Sequence, residues 1–266
     1  MYRLIAVDMD GTLLNEDKEI SDRCQELIKR LRENGKKIVL ATGRPFNGVL
    51  PYIKLLDLYD KDDYVVTYNG ALVQSTNEKH ILINKPLSLS SYRELYDVSK
   101  ELGVNIHALT QGSVLTPKDN PYTGVESSIN QIPIIEGPIE ELDDSIDIVK
   151  VMFIDEPKKL NTIIPLIPDW VKDKYTIVRS AAIFLEFLDK SVNKGAGVEA
   201  VAEQLGIKQE EVISVGDAEN DVAMIQYAGL GVAMANATDE AKAVADHITL
   251  TNEEDGVAEV IERFML

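Results

Sequence analysis

The sequence predicts an α/β protein in which a doubly wound parallel sheet is interrupted by an inserted α+β domain. Short apolar runs, typical of strands buried on both faces, alternate with helical patterns near both ends of the chain. Turn signals are denser in the middle of the chain, where this alternation is lost. The 266 residues suit one large domain or two modest ones, and either can bury a sizeable core.

The first 70 residues contain three apolar runs separated by helical patterns, which is the order expected of a doubly wound sheet. Ser21 is a suitable N-cap for the first helix, and Asn34-Gly35 supplies a left-handed stop at its end. A second helix is expected from about Phe46 to Leu56. Strands are expected at Leu4–Val7, Ile38–Ala41 and Tyr64–Thr67.

The last third of the chain repeats this alternation, so both ends of the chain are expected to build one sheet. Strands are expected at Val212–Val215, Gly229–Ala233 and His247–Leu250. Helices are expected at about Gly195–Leu205, at Asp221–Tyr227, from about Asp239 and from near Asp255.

The middle block, 85–189, is expected to form the inserted domain, which leaves 1–84 and 190–266 as the core. Six prolines and glycines fall between positions 117 and 138, so turns should dominate there. An acidic run, Glu140–Asp147, is expected to be a solvated loop. The expected strands are Val104–Leu109, Ile148–Ile154, Tyr175–Val178 and Ile183–Leu188, and the expected helices are Ser90–Leu102 and Lys158–Ile167.

Charge and composition argue against several classes of protein. The net charge of −18 disfavours nucleic acid or an anionic membrane surface as the main partner, because both are polyanions. Cys24 is the only cysteine, which leaves no internal disulfide and no cysteine-based zinc site. No apolar run approaches the ~20 residues that span a bilayer, and the N-terminus lacks a signal-peptide pattern. We therefore expect a cytoplasmic protein.

Polar clusters follow the predicted core strands. Because ligands bind beyond the carboxyl ends of the strands in an open parallel sheet, these clusters are expected to share one rim. They are Asp8-Met9-Asp10-Gly11-Thr12, Thr42-Gly43-Arg44-Pro45, Tyr68-Asn69-Gly70-Ala71, Gly216-Asp217 and Asn220-Asp221, with Lys194-Gly195 opening a nearby helix.

Each cluster alone also has an ordinary structural explanation. Aspartates at strand ends are commonly turn or capping residues, Asn69-Gly70 is a strong hairpin signal, and Lys194 alone would be a surface lysine. Together, however, four acids would meet, and clustered carboxylates repel unless a divalent cation lies among them. The joint pattern therefore favours a metal site. The four acids are Asp8, Asp10, Asp217 and Asp221.

The segment from Asp8 to Thr12 resembles the DxDGT nucleophile motif of the haloacid dehalogenase superfamily of phosphatases. Thr42, Lys194 and the segment 216–221 fall where the other three motifs of that superfamily belong. The inserted block resembles the C2-type cap of its Cof-like, type IIB branch, and several short segments are typical of that branch. They are Thr42–Pro45, Tyr68–Val73 and Phe184–Glu186, while Lys150–Pro157 and Asp189–Gly195 further resemble one bacterial sugar phosphatase.

This resemblance implies a Rossmann-like catalytic core, an inserted cap and a Mg²⁺-dependent sugar phosphatase. Asp8 would be the nucleophile that forms an aspartyl-phosphate, and Asp10 the general acid and then base. Mg²⁺ would be bound by Asp8 and Asp217, by the backbone carbonyl of Asp10, and by Asp221 directly or through water. The residues implied to bind the phosphoryl group are Thr42, Gly43, Lys194 and Asn220, with Met9 contributing through its backbone.

Substrate selection is expected to depend on the cap and on the loops that face it. Glu186 is a lone acid in an apolar run and could bind a sugar hydroxyl or, alternatively, face solvent. His107 could contact substrate or be a packed histidine, and Arg44 and Asn69 are further candidates from the core. The expected partner is a small phosphorylated metabolite, with no nucleic acid or membrane, and the oligomeric state is left open.

Three other functions stay open at this point. A phosphomutase would return the phosphoryl group to the sugar, so it would convert glucose 1-phosphate to glucose 6-phosphate rather than release phosphate. A signalling module would give a long-lived phosphoprotein with acetyl phosphate, but the inserted block and Asp10 argue against this reading. A cap-mediated binding protein with residual activity is disfavoured by the complete motif set.

Overall fold

The computed structural model describes residues 1–143 and 145–266. Strands in these residues are β1 (Leu4–Val7), β2 (Lys37–Ala41), β3 (Tyr64–Thr67), β4 (Leu72–Ser75), β5 (Ile81–Asn84), β6 (Asn105–Leu109), β7 (Val114–Thr116), β8 (Ile134–Glu136), β9 (Lys150–Ile154), β10 (Tyr175–Ala181), β11 (Phe184–Asp189), β12 (Val212–Gly216), β13 (Leu230–Ala233) and β14 (His247–Ile248). Helices are α1 (Asp22–Glu33), α2 (Phe46–Leu55), α3 (Leu89–Leu102), α4 (Thr123–Asn130), α5 (Pro157–Ile163), α6 (Asp169–Lys174), α7 (Lys194–Gln204), α8 (Val222–Tyr227), α9 (Asp239–Val244) and α10 (Gly256–Val260).

The chain divides into two compact units. One contains 1–43, 50–84 and 193–266, and the other contains 44–49 and 85–192. The domain boundary expected from sequence at 84/85 is the same as in the structure. The second boundary was expected at 189/190 and lies at 192/193, and residues 44–49 were expected to belong to the core. Among the described residues, no helix combines the length and apolar character needed to cross a bilayer.

The first unit contains a sheet of eight strands in the order β14-β13-β12-β1-β2-β3-β4-β5. The strands from β14 to β3 are parallel, whereas β4 and β5 add an antiparallel edge. From the β1–β12 pair the chain winds outward in both directions, so a crevice is expected at the carboxyl ends of these two strands. The predicted doubly wound α/β fold is therefore confirmed.

The core of the first unit forms because its central strands are apolar on both faces. All residues of β1 and β12 are buried. Val198 and Val201 of α7 join one hydrophobic cluster with Val39 and Val66 of the sheet. Full burial of each such side chain contributes roughly 1.5–3 kcal/mol. On α1, Cys24 is buried as a small hydrophobic residue.

The second unit contains a six-stranded sheet, β10-β11-β9-β6-β7-β8, that is antiparallel except between β7 and β8. Its core joins Tyr92 and Leu95 of α3 and Leu160 of α5 with Val151 and Phe153 of β9. This arrangement of helices with a mainly antiparallel sheet is the α+β architecture expected for the inserted block.

Some predicted elements of the second unit are wrong in extent. The helix predicted at Lys158–Ile167 is α5 and ends at Ile163, since Pro165 lacks the N–H that would continue it. Helices α4 and α6 and strands β7 and β8 were not predicted, because turn residues obscure their short patterns. In the acidic run predicted as a loop, a short 3₁₀ turn covers Ile139–Glu141, and Asp144 lies outside the described residues.

In the first unit, the strand predicted at His247–Leu250 is β14 and covers only His247–Ile248. The final helix starts at Gly256, as expected, and a π-helical turn at Ile261–Met265 follows it.

Candidate active site

A buried lysine joins two carboxylates at the carboxyl ends of β1 and β12. Lys194 Nζ donates to Asp8 Oδ1 at 2.5 Å and to Asp221 Oδ1 at 2.6 Å. Lys194 and Asp221 are 0% exposed and Asp8 is 6% exposed. Asp8 follows β1 directly, and the side chain of Asn193 caps α7 through Ala196 N–H at 2.8 Å. Lys194 is therefore buried, and the alternative explanation that it is a surface lysine is wrong.

The loop after β12 adds a third carboxylate to this site. Asp217 Oδ1 accepts a hydrogen bond from Thr12 Oγ1 at 2.7 Å. Asp221 Oδ2 accepts from the N–H groups of Asp217 at 2.9 Å and Ala218 at 3.0 Å, and thereby fixes the loop. Oxygen atoms of Asp8, Asp217 and Asp221 all lie within 4.8 Å of one another.

Two glycines allow the acids to approach this closely. Gly11 has φ +84°, and a Cβ added there would lie 2.5 Å from Asp217 Oδ2. A Cβ at Gly216 would lie 2.4 Å from the Cβ of Asp221. Any side chain at either position would displace a carboxylate, so these glycines are part of the site's geometry.

The electrostatics of the three acids favour a bound cation. Burial and the charge of Asp221 raise the pKa of Asp8 well above its usual value, despite the opposing effect of Lys194. Burial also raises the pKa of Asp217 to about 6. Burial alone would lower the pKa of Lys194, but Asp221 and Asp8 outweigh it and raise that pKa. A set of close carboxylate oxygens with excess negative charge fits a hard divalent cation.

Asp10, two residues beyond Asp8, has a different side-chain partner. Lys18 Nζ donates to Asp10 Oδ1 at 2.8 Å, and both side chains are about half exposed. Among the described residues, the acids that lie close enough together to share a cation are Asp8, Asp217 and Asp221, and this group does not include Asp10. Its expected metal contact through the backbone carbonyl stays a prediction. The side chain of Met9 is fully buried, which leaves only its backbone for any role in the site.

The predicted phosphoryl-binding residues are linked by direct contacts. Thr42 follows β2 and is buried, and its carbonyl accepts a hydrogen bond from Asn69 N–H at 2.9 Å. Asn220 Nδ2 donates to Asn69 Oδ1 at 2.9 Å. An added Cβ at Gly43 would lie 3.3 Å from both terminal atoms of the Asn69 amide. The structure therefore brings Thr42, Gly43, Asn69 and Asn220 together, whereas Arg44 belongs to the second unit.

Glu186 of the second unit lies in a buried ion pair. Lys150 Nζ lies 2.7 Å from Glu186 Oε1 and 3.3 Å from Glu126 Oε1, and all three side chains are buried. Ser180 Oγ also donates to Glu186 Oε1 at 2.7 Å. The alternative that Glu186 faces solvent is therefore wrong, because β11 is covered along its length and the carboxylate has buried partners.

His107 is a packed histidine, as its ordinary explanation had it. It is 0% exposed, and its Nδ1 lies 3.2 Å from Thr123 Oγ1. Its Nε2 lies 3.2 Å from Met152 Sδ. Burial, with Lys150 nearby, lowers the pKa of His107 to about 3, so the ring is neutral at physiological pH.

Several contacts were missed by reasoning from sequence. Thr12 was quoted within a motif but given no partner. Lys150 was named only as the start of a segment that resembles the family, and Lys18 was not considered. The contact of Thr12 with Asp217 joins residues 205 positions apart, so no local pattern signals it. The sequence signal for the contact of Lys18 with Asp10 was the position of a basic residue shortly after the nucleophile motif.

Comparisons with known proteins place this chain among the hydrolases. A family model described as haloacid dehalogenase-like hydrolase matches residues 5–261. YxeH of Bacillus subtilis, a presumed phosphatase by name, is 43% identical and aligns over 100% of this chain and 99% of its own length. The 5-amino-6-(5-phospho-D-ribitylamino)uracil phosphatase YitU of Bacillus subtilis is 30% identical over 98% of this chain and 97% of its own.

A crystal structure of a haloacid dehalogenase-like hydrolase from Bacteroides thetaiotaomicron superposes with a TM-score of 0.86. It is 33% identical, and the match covers 99% of each chain. The chain belongs to the haloacid dehalogenase-like hydrolases and is an enzyme. The expected membership of this superfamily is confirmed, while the resemblance to one particular sugar phosphatase stays a prediction.

Proposed function

We propose that this enzyme is a Mg²⁺-dependent phosphatase that hydrolyses sugar phosphates or related small phosphate monoesters through an aspartyl-phosphate. The observation that carries this proposal is the buried Asp8 carboxylate, bonded to Lys194 and grouped with Asp217 and Asp221. A phosphate monoester repels nucleophiles, so its hydrolysis needs positive charge beside an aligned nucleophile. This arrangement supplies both.

In the first step, an Asp8 carboxylate oxygen attacks phosphorus while the bond from phosphorus to the ester oxygen breaks. The departing oxygen takes the proton of Asp10, which needs Asp10 to have left its ion pair with Lys18 and to be protonated when substrate arrives. In the second step, Asp10 accepts a proton from water as the water oxygen attacks phosphorus. The aspartyl-phosphate bond then breaks, which releases phosphate and regenerates Asp8.

The remaining residues hold the charge and the phosphoryl group. Lys194 keeps its positive charge because its two carboxylate partners raise its pKa despite burial. Mg²⁺ bound by Asp8, Asp217 and the Asp10 carbonyl would polarise the phosphoryl oxygens and offset the negative charge of the acids. Asp221, already bonded to Lys194 and two N–H groups, would act through water or by ordering the Asp217 loop.

The substrate class is supported by one relative. YitU is named for a phosphate ester on a ribityl chain, which is a polyol like a reduced sugar. The second unit would act as the cap that selects the substrate and excludes bulk water, with the first unit as the catalytic core. Glu186 and His107 have buried partners within the second unit, so a role in selection would be indirect. Direct selection by Arg44 stays a prediction, as does a cytoplasmic location.

A phosphate-release screen over phosphorylated metabolites, reported as kcat/KM with Mg²⁺ and with EDTA, tests the proposal. We expect sugar and polyol phosphates to be hydrolysed with Mg²⁺ and to be stable in EDTA. Conversion of glucose 1-phosphate to glucose 6-phosphate without free phosphate would replace this function with a mutase. Equal turnover in chelator would contradict the metal assignment.

A further inference from the structure

We propose that Asn69 is a positioning residue that holds the phosphoryl-binding groups of the site in register, rather than a residue that selects the substrate. The inference rests on the proposed phosphatase function. It is carried by one buried turn, Tyr68–Gly70, whose contacts reach three of the segments that carry phosphoryl-binding candidates, those of Thr42, Lys194 and Asn220.

The turn has an unusual backbone. Tyr68, Asn69 and Gly70 have φ values of 50°, 57° and 101°, so three successive residues lie in the left-handed region. Tyr68 and Asn69 are 1% and 2% exposed. Left-handed backbone at a bulky residue is strained, and it persists only where the surroundings fix it. A surface hairpin turn would need no such burial.

The contacts of Asn69 explain what the turn fixes. Its N–H donates to the Thr42 carbonyl at 2.9 Å, and its Oδ1 accepts from Asn220 Nδ2 at 2.9 Å. Its amide also lies against Gly43, where an added Cβ would come within 3.3 Å. An asparagine amide has two hydrogens, so Asn220 uses one on Asn69 and keeps one for a phosphoryl oxygen.

The neighbouring Gly70 extends the same turn to the lysine segment. An added Cβ at Gly70 would lie 2.3 Å from the carbonyl oxygen of Asn193, the residue that caps α7 directly before Lys194. The turn therefore contacts the segments of Thr42, Lys194 and Asn220 at once. Because a misplacement of about 1 Å can cost about 100-fold in rate, a residue that sets these positions governs catalysis without touching the leaving group.

Asn69→Gly tests this inference, because glycine keeps the left-handed backbone and removes only the amide. We expect kcat to fall roughly 10- to 100-fold on both p-nitrophenyl phosphate and the preferred sugar phosphate. Orthovanadate, which mimics the phosphoryl group, should inhibit about 10-fold more weakly. Glu78→Gly is the matched control, since Glu78 is another residue with left-handed backbone (φ 59°) and lies in an exposed turn. This variant should leave kcat and the inhibition constant for orthovanadate unchanged.

A double variant separates positioning from direct contact. If Asn69 acts through Asn220, adding Asn69→Gly to Asn220→Ala should change kcat by no more than about twofold. Fully additive losses would mean that the Asn69 amide does not act through Asn220, and would overturn the inference. A change in the ranking of sugar phosphates with unaltered p-nitrophenyl phosphate turnover would overturn it as well.

A second variant keeps the test decisive if Asn69→Gly fails to fold. Gly43→Ala would push its Cβ against the Asn69 amide and should weaken orthovanadate inhibition roughly fivefold. Unchanged inhibition in that variant would contradict the inference. An inactive wild-type enzyme on every phosphate ester would instead reject the proposed function, so the two failures are distinguishable.

Discussion

Each unit of the molecule buries one lysine between two carboxylates, yet the two clusters have different surroundings. Lys194 of the first unit pairs with Asp8 and Asp221, and Lys150 of the second pairs with Glu126 and Glu186. The first cluster has a third acid, Asp217, within its group, and it lies at strand ends. The second has neutral neighbours, His107 and Ser180, and lies between helix α4 and strands β9 and β11.

The difference teaches that a buried lysine–carboxylate cluster is not in itself a functional site. Such a cluster has a substantial desolvation cost, so its presence alone is weak support for either stability or activity. What distinguishes the Lys194 cluster is a third carboxylate, the partly buried Asp217, at the carboxyl ends of β1 and β12, where the proposed cation and phosphate would bind. The Lys150 cluster is buried and joins residues of α4, β9 and β11, so we interpret it as a structural connection between these elements.

Removing one carboxylate from each cluster should give the largest contrast. Asp8→Asn should reduce kcat on p-nitrophenyl phosphate at least about 10⁴-fold, because the nucleophile is lost. Glu186→Gln should leave that kcat within about threefold. Steady-state kinetics of both variants measure kcat, and thermal unfolding shows whether each variant is folded. Comparable activity losses in the two variants would contradict the prediction that only the first cluster is catalytic. Retained turnover by Asp8→Asn would show that Asp8 is not the nucleophile.

Replacing each lysine by methionine should separate activity from stability. Lys194→Met should lower kcat about 10³-fold, since a preorganised charge beside the phosphoryl group is lost. Lys150→Met should lower the free energy of unfolding by about 3–5 kcal/mol, because two buried carboxylates lose their partner. Urea unfolding beside kinetics on the folded fraction measures both. A catalytic defect in folded Lys150→Met would show that the second cluster contributes to turnover.

Mg²⁺ should stabilise only through the first cluster. At 100 times its dissociation constant, a ligand of the folded state adds about 2.7 kcal/mol of stability. Unfolding curves in Mg²⁺ and in EDTA should therefore differ for the wild type. Asp217→Asn should abolish this difference, and Glu126→Gln should retain it. A Mg²⁺ effect that survives Asp217→Asn would move the cation away from this site.

His107 should make the second unit sensitive to acid. Its folded-state pKa of about 3 lies below the unfolded value near 6.5, so below pH 6.5 the unfolded chain binds more protons. Stability linked to His107 is thus complete above pH 6.5 and falls as the pH decreases towards 3. By pH 5 the loss is roughly 2 kcal/mol.

Comparing wild type with His107→Gln isolates this effect from other titrating groups. The difference in unfolding free energy between the two proteins should shift by roughly 2 kcal/mol between pH 7 and pH 5. A difference that stays constant over this range would mean that His107 is accessible to protons in the folded protein.

Sequence reasoning predicted the first unit well because its signals are local. Strand β1 and the acids that follow it are adjacent in the chain, and Asp217 and Asp221 share one loop. The Lys150 cluster could not be predicted in this way, since it depends on the register of β9 against β11 and on α4. The segment Thr123–Asn130 has too few apolar residues to reveal a helix. The turn at Asn69 was predicted from the sequence as a hairpin signal, but its buried contacts were not.

The single cysteine has a practical consequence for measuring motion. Cys24 is 3% exposed, and burial raises the pKa of its thiol to about 12, so it reacts slowly with labelling reagents. Cysteines introduced at exposed positions such as Glu78 and Lys158 would be labelled selectively on an otherwise native chain. Spin labels or fluorophores at such a pair can then follow the distance between the two units as substrate is turned over.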